Sequence, residues 1–105
     1  MVVKRSLRNF VNNLMSIHAL RKQIDRIDAQ IVRLLNRRIG IARRIGVLKR
    51  RAGDHWIDPQ RERAVLSRLR RVNRGPLTSA GLRAIYRQIF LNTRAVQQTL
   101  ARRRC

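Results

Sequence analysis

Residues 20–48 read LRKQIDRIDAQIVRLLNRRIGIARRIGVL. Taking every third and fourth position gives Leu20, Ile24, Ile27, Ile31, Leu34, Arg38, Ile41, Ile45 and Leu48. The steps alternate four and three without a slip, the spacing of a long helix packed along one seam. Eight of these nine positions are aliphatic, and Arg38 is the ninth. No Pro or Gly interrupts the run before Gly40, and helix formers continue to Ala52. The pattern predicts a helix over Ser16–Ala52, roughly 54 Å long at about 1.5 Å per residue. A compact chain of this length spans only about 35 Å, from a radius of gyration of about 13 Å. Such a helix overshoots what its own chain can cover, so its seam is expected to pack against a second copy.

Arg38 is the second clue. A guanidinium among aliphatic side chains is stable when an anion meets it, or when it snorkels outward over a packed stem. The acids of the chain are Asp25, Asp28, Asp54, Asp58 and Glu62, and none is a turn or two from Arg38 on this helix. An anion from outside the protein is therefore one solution, and snorkelling is the other.

Around this helix lies a chain of 105 residues with a formal charge of +21 and four aromatic residues. That length suits one domain, or one intertwined dimer of it, around an aliphatic core. The charge suits nucleic acid, an anionic membrane surface or an anionic small molecule, though much of it is expected on solvated surface. Cys105 is the single cysteine, which excludes a disulfide framework and fits a reducing cytoplasm. No apolar run approaches the length of a membrane span. Residues 1–15, MVVKRSLRNFVNNLM, carry no acid and no apolar core of signal-peptide length. They read as a basic amphipathic arm or a poorly ordered extension, with Met15 as an alternative start, and residues 102–105 as a basic tail.

After a loop at Ala52–His55, Asp58 and Pro59 form a helix start, as N-cap and first helical residue. The short helix that follows is expected to bury Val65, Leu66, Leu69 and Val72 and to stop at Asn73–Pro76. Thr78 or Ser79 caps a third helix running to about Leu100, with Leu82, Ile85, Ile89 and Val96 on one side and Tyr86, Phe90, Thr93 and Gln97 on the next stripe. No strand candidate and no repeat is found. The expected class is all-α, with one very long, one short and one medium helix per chain.

Arg38 and Lys49 are eleven residues apart, about 1,100° of helical rotation, and so return to within about 20° of each other. Ala42 and Ile45 make an apolar floor between these cations. Arg21 is turned about 100° from that face and cannot easily serve the same pocket in its own chain, but across a two-fold axis it could serve a partner's. Asp58, Arg61 and Glu62 cluster at the second helix start, while Thr93 and Gln97 share a face at i, i+4. Cations over an apolar floor suit a small molecule with more than one carboxylate. A chain this rich in arginine also produces such spacings by coincidence. His18 and His55 have no partner pattern, His55 beside Trp56 reads as a loop packing pair, and Cys105 is terminal. No nucleophile triad, metal-ligand spacing or phosphate loop is found. No metal and no cofactor are expected.

The blocks Leu20–Asp28, Leu34–Arg38, Ile45–Lys49, Asp58–Glu62, Asn73–Leu77, Ile85–Arg87 and Thr93–Gln97, in order over Ser16–Gln98, resemble the all-helical chorismate mutases. The Asn-x-Gly-Pro-Leu turn is similar to the mutase module of bacterial proteins that fuse it to a prephenate dehydratase. The length given leaves no room for that second domain, so a mutase domain over residues 16–101 is expected. The resemblance implies an intertwined homodimer that rearranges chorismate to prephenate without a cofactor, in phenylalanine and tyrosine biosynthesis. It implies that Arg38 and the partner's Arg21 bind substrate carboxylates, and that Lys49 and Gln97 donate to the ether oxygen. Glu62 and the backbone near Asp58 would hold the ring hydroxyl, with Arg61 and Thr93 completing the carboxylate surroundings. Arg37 and Gln88 stand where the family usually has Glu, and Thr93 where Ser is frequent. The lost acids contribute to the charge and keep two rivals in view: a basic protein gripping RNA or another polyanion nonspecifically, and a catalytically silent partner protein. Scarce aromatics and no visible RNA-binding motif weigh against the first.

Overall fold

The computed structural model describes residues 2–53, 55 and 57–102. Among them are three helices and no strand: α1 over Val2–Arg51, α2 over Pro59–Val72 and α3 over Ser79–Arg102. The all-α expectation holds. Among the described residues no helix is long and apolar enough to cross a membrane.

The start of α1 corrects the expectation. The helix begins at Val2 rather than Ser16. Residues 6–15 contain no Pro or Gly, and Leu7, Phe10, Val11 and Leu14 recur at helical spacing, so nothing in them breaks a helix. Its other end agrees within a residue, with Lys49, Arg50 and Arg51 in the last turn, where cations meet the negative end of the helix dipole. The N–H of Ala52 still bonds to the Leu48 carbonyl at 3.1 Å. The Trp56 half of the expected packing pair, Asp54, and Arg103–Cys105 of the basic tail lie outside the described residues.

The chain divides into two units between Arg37 and Arg38. The first unit is helical to its end and presents Leu20, Ile24, Ile27, Ile31 and Leu34 to solvent, together with Leu7, Phe10, Val11, Leu14 and Ile17.

The second unit holds residues 38–51 of α1 with α2 and α3. Asp58 caps α2 by accepting from the Arg61 N–H at 3.0 Å, with Pro59 at the first position. The turn after α2 is built on Asn73, whose side-chain oxygen accepts from the Gly75 N–H at 3.0 Å and whose amide donates to the Leu77 carbonyl at 2.9 Å. Gly75 sits at φ +73°, a left-handed conformation that costs glycine nothing. Of the two candidate caps of α3, Thr78 is the one used: its hydroxyl accepts from the Gly81 N–H at 2.9 Å.

Ala42, Val65, Leu82 and Phe90 are buried. On α2, Leu66 and Leu69 are half-buried and Val72 is exposed, because Val72 is the last residue of the helix. On α3 the inward stripe is Leu82, Tyr86, Ile89, Phe90, Thr93 and Gln97, and Ile85 points outward. The stripe expected beside the apolar face is therefore its centre. The seam itself is not what α1 buries here. Ala42 and Gly46 are buried, while Ile41, Ile45 and Leu48 remain exposed.

Candidate active site

Within the second unit, residues 38–49 of α1 and the facing sides of α2 and α3 enclose a cleft of about 360 Å³. Its apolar lining is Ile41, Ala42, Ile45, Val65 and Phe90. Its polar lining is Arg38, Lys49, Asp58, Arg61, Glu62, Thr93, Arg94 and Gln97. Seven of the eight residues predicted from sequence are brought together. The eighth, Arg21, belongs to the first unit, is exposed, and is not among the lining residues.

Arg38 extends into the cleft and donates to the Thr93 hydroxyl at 2.8 Å. That hydroxyl passes its own hydrogen to the Ile89 carbonyl, also at 2.8 Å, so its oxygen is oriented as an acceptor. The guanidinium carbon lies 5.8 Å from the centroid of the buried Phe90 ring, close enough for a cation–π attraction. Tyr86 meets the same ring edge-on at a centroid distance of 5.8 Å. Arg38 is thus positioned by neutral groups, and its charge has no carboxylate partner among the described residues.

Lys49 reaches the other end of the floor, where its ammonium lies 3.3 Å from Asp58 Oδ2. Asp58 uses its second oxygen for the α2 cap. The Arg61 backbone N–H holds its carboxyl below the usual value of 3.8; partial desolvation works against this, and Lys49 adds to it. Gln97 is buried and donates from Nε2 to the Ala42 carbonyl at 3.0 Å. This bond joins α3 to α1 where α1 carries Gly46. A Cβ at Gly46 would lie 3.1 Å from Gln97 Cγ, so Gln97 would have to give by a few tenths of an ångström to admit one.

Arg94 was missed in the sequence. It donates from Nε to Glu62 Oε2 at 2.8 Å and from a terminal nitrogen to Glu62 Oε1 at 2.5 Å. The Glu62 hydrogen bonds raise the Arg94 pKa further above its already high value. Its partner is 32 residues away on another helix, and single-helix spacing cannot reveal such a pair. Being next to Thr93, on a stripe already read as lining a site, was the only available signal.

Four cations and two carboxylates line the cleft, leaving two net positive charges. Each carboxylate meets one cation, Asp58 with Lys49 and Glu62 with Arg94. Arg38 and Arg61 form no ion pair among the described residues, although the Arg61 charge also acts on Asp58, and both can meet a ligand. Lys49 has three N–H donors and Gln97 two, and each spends one on the bond just described. The arrangement can hold a small dianion over an apolar floor and offer further donors between its charged ends.

Known sequences agree with this geometry. The sequence profile of the family described as chorismate mutase type II matches residues 20–98. A bifunctional chorismate mutase/prephenate dehydratase of Aquifex aeolicus (strain VF5) is 43% identical over 75 residues, which are 68% of this chain and 21% of that protein. A protein of the same description from Neisseria gonorrhoeae (strain ATCC 700825 / FA 1090) is 40% identical over 80 residues, 76% of this chain and 22% of its own. The chain spans about a fifth of the length of these curated relatives. The family match covers most of the chain and includes every cleft residue named above, so the chain belongs to the chorismate mutase type II family.

Proposed function

We propose that this chain rearranges chorismate to prephenate without a cofactor, as an intertwined homodimer, in the cytoplasm and in phenylalanine and tyrosine biosynthesis. The observation that carries the reading is the cleft's surplus of two positive charges beside unspent donors on Lys49 and Gln97. Chorismate is a dicarboxylate with an ether between its carboxylate-bearing halves. As the ring C–O bond breaks, the methylene of the enolpyruvyl arm bonds to the ring carbon that bears the carboxylate. Six electrons move within one molecule, and no proton is transferred.

Such a reaction needs the flexible arm folded over the ring, and holding it there removes an entropic barrier. Arg38, fixed by Thr93 and Phe90, takes one carboxylate, and Arg61 with Thr93 completes the surroundings. The second carboxylate is taken with the partner's Arg21. The exposed stripe of the first unit supports a second copy as the element that delivers it. Lys49 and Gln97 donate to the ether oxygen, which gains negative charge in the transition state, so their bonds strengthen as the barrier is climbed. Glu62 and the backbone near Asp58 hold the ring hydroxyl. The mutase domain extends over residues 16–101, with residues 1–15 and 102–105 as flanking basic segments.

The rival polyanion-binding reading rests on charge alone. Tyr86 and Phe90, which would stack on bases, are turned inward beside Arg38. Adding chorismate to the purified chain and following its loss by ultraviolet absorbance tests the proposal. Loss well above the spontaneous rate is expected, and none in folded protein overturns it.

A further inference from the structure

The mutase reading assigns Glu62 to the ring hydroxyl and leaves Arg94 without a part, although Arg94 lines the same cleft. A bare carboxylate would be a poor feature in a cleft for a dianion. It would repel both substrate carboxylates, and its rotamer freedom would blur the direction of its lone pairs. Asp58 avoids both problems through Lys49 and the α2 cap. Glu62 lies in the first turn of α2, and among the described residues its carboxylate accepts side-chain hydrogen bonds from Arg94 alone.

The contact is a two-pronged one, with Nε and a terminal nitrogen of Arg94 each on a different oxygen of Glu62. A planar fork of this kind fixes both the position and the plane of a carboxylate, which a lysine's point charge does not. Two oxygens offer about four acceptor sites, so two remain for another donor. Arg94 and Glu62 together stand on a wall shared by the cleft and a second groove of about 420 Å³, where Arg63, Arg83 and Arg87 also lie. Those cations disfavour a move of Arg94 deeper into that groove, since it would leave Glu62 for three like charges.

We propose that Arg94 is a positioning residue that aims Glu62 at the substrate's ring hydroxyl and so sets selectivity for the hydroxylated substrate. This rests on the mutase reading above. Two effects are separable. The charge of Arg94 cancels that of Glu62 and lowers KM for a dianion. The fork of Arg94 fixes the acceptor direction and governs discrimination between chorismate and its analogue lacking the ring hydroxyl.

The test compares kcat/KM for these two substrates in the wild type, Arg94→Ala, Arg94→Lys, Glu62→Gln and the Arg94→Ala/Glu62→Gln double variant, with thermal melts of each. A hydrogen bond to a charged acceptor corresponds to a wild-type preference of about ten- to a hundredfold for the hydroxylated substrate. Arg94→Ala is expected to lose most of that preference and to raise KM. Arg94→Lys restores KM but not the preference, and the double variant discriminates no worse than Glu62→Gln alone. If Arg94→Ala lowers turnover of both substrates equally, Arg94 is only a strut between α2 and α3 and the proposal falls. Should Arg94→Ala not fold, Arg94→Lys decides: a preference equal to wild type overturns the proposal, and a reduced one sustains it. A wild type that rearranges neither substrate removes the mutase reading itself, whereas an active wild type with an insensitive preference removes only the role of Arg94.

Discussion

Two stretches of α1 share one repeat and meet different surroundings. Leu20, Ile24, Ile27, Ile31 and Leu34 are all exposed. Between Arg38 and Lys49 the same helix buries Ala42 and Gly46 and is tied by side-chain bonds to α3 and to the start of α2. An apolar stripe without cover asks for a partner, because each buried aliphatic side chain is worth about 1.5–3 kcal/mol over an exposed one. The cleft is already internally partnered, so its donors are held in place before any ligand arrives. One stretch is thus incomplete in packing, while the other already holds its polar side chains in place and keeps donors to spare. Perturbing the second should damage chemistry, and perturbing the first should damage assembly.

The largest effect is expected from Lys49→Ala. Lys49 is the only cation whose ammonium is both anchored, on Asp58, and left with spare donors at the floor of the cleft among the described residues. Its removal should lower kcat on the order of 10²–10³, as loss of an oxyanion donor does. Unchanged steady-state kcat with chorismate would place the chemistry elsewhere.

Gly46→Ala comes next. Its new Cβ would press on Gln97 Cγ from 3.1 Å, and Gln97 is held at the Ala42 carbonyl, so it has little room to yield. Overpacking of this kind costs about 1–3 kcal/mol of stability. A donor displaced by a few tenths of an ångström should lower kcat by about tenfold. Thermal melts and kcat measured together check this. A stable variant with full kcat would show that the close approach is not needed for the donor.

The third tests the exposed stretch through its consequence for the site. On the proposed two-fold arrangement, Arg21→Ala and Arg38→Ala should each be nearly inactive alone. Unfolding, mixing and refolding them gives about half mixed dimers, each with one site holding both arginines, so about a quarter of wild-type activity should return. No recovery, with mixed dimers demonstrated, would mean that both arginines act within one chain.

The same contrast explains what could be read from the sequence. Features confined to one helix were legible. Arg38 and Lys49 at eleven residues, and Thr93 and Gln97 at four, do line one cleft, and Asp58–Pro59 does start α2. These follow from rotation per residue and capping chemistry. Features set between helices were not. The Arg94–Glu62 pair depends on how α2 and α3 face each other, and the inward turn of Phe90 over Ile85 depends on which side of α3 meets its neighbours. The start of α1 at Val2 was missed because a basic, acid-free stretch reads as an arm, although nothing in residues 6–15 opposes a helix.

The smallest effect belongs to Asp58→Asn, which separates the charge of the cap from its geometry. Asparagine caps a helix about as well as aspartate, so the hydrogen bond from the Arg61 N–H can survive the change. What is lost is the charge that faces Lys49. Asp58 titrates below its usual 3.8 in the folded chain, chiefly because the Arg61 N–H bonds to the ionised form. Stability from such a group is fully present above the unfolded value and disappears as pH falls through the lower folded one. Wild type should therefore melt slightly above Asp58→Asn at neutral pH, and the gap should close on acidification below the usual carboxylate range. Melting curves of both proteins from neutral to about pH 2.5 read this directly. A gap that stays constant across that range would show that the ionised charge of Asp58 adds no stability, whether through the Arg61 N–H or through Lys49.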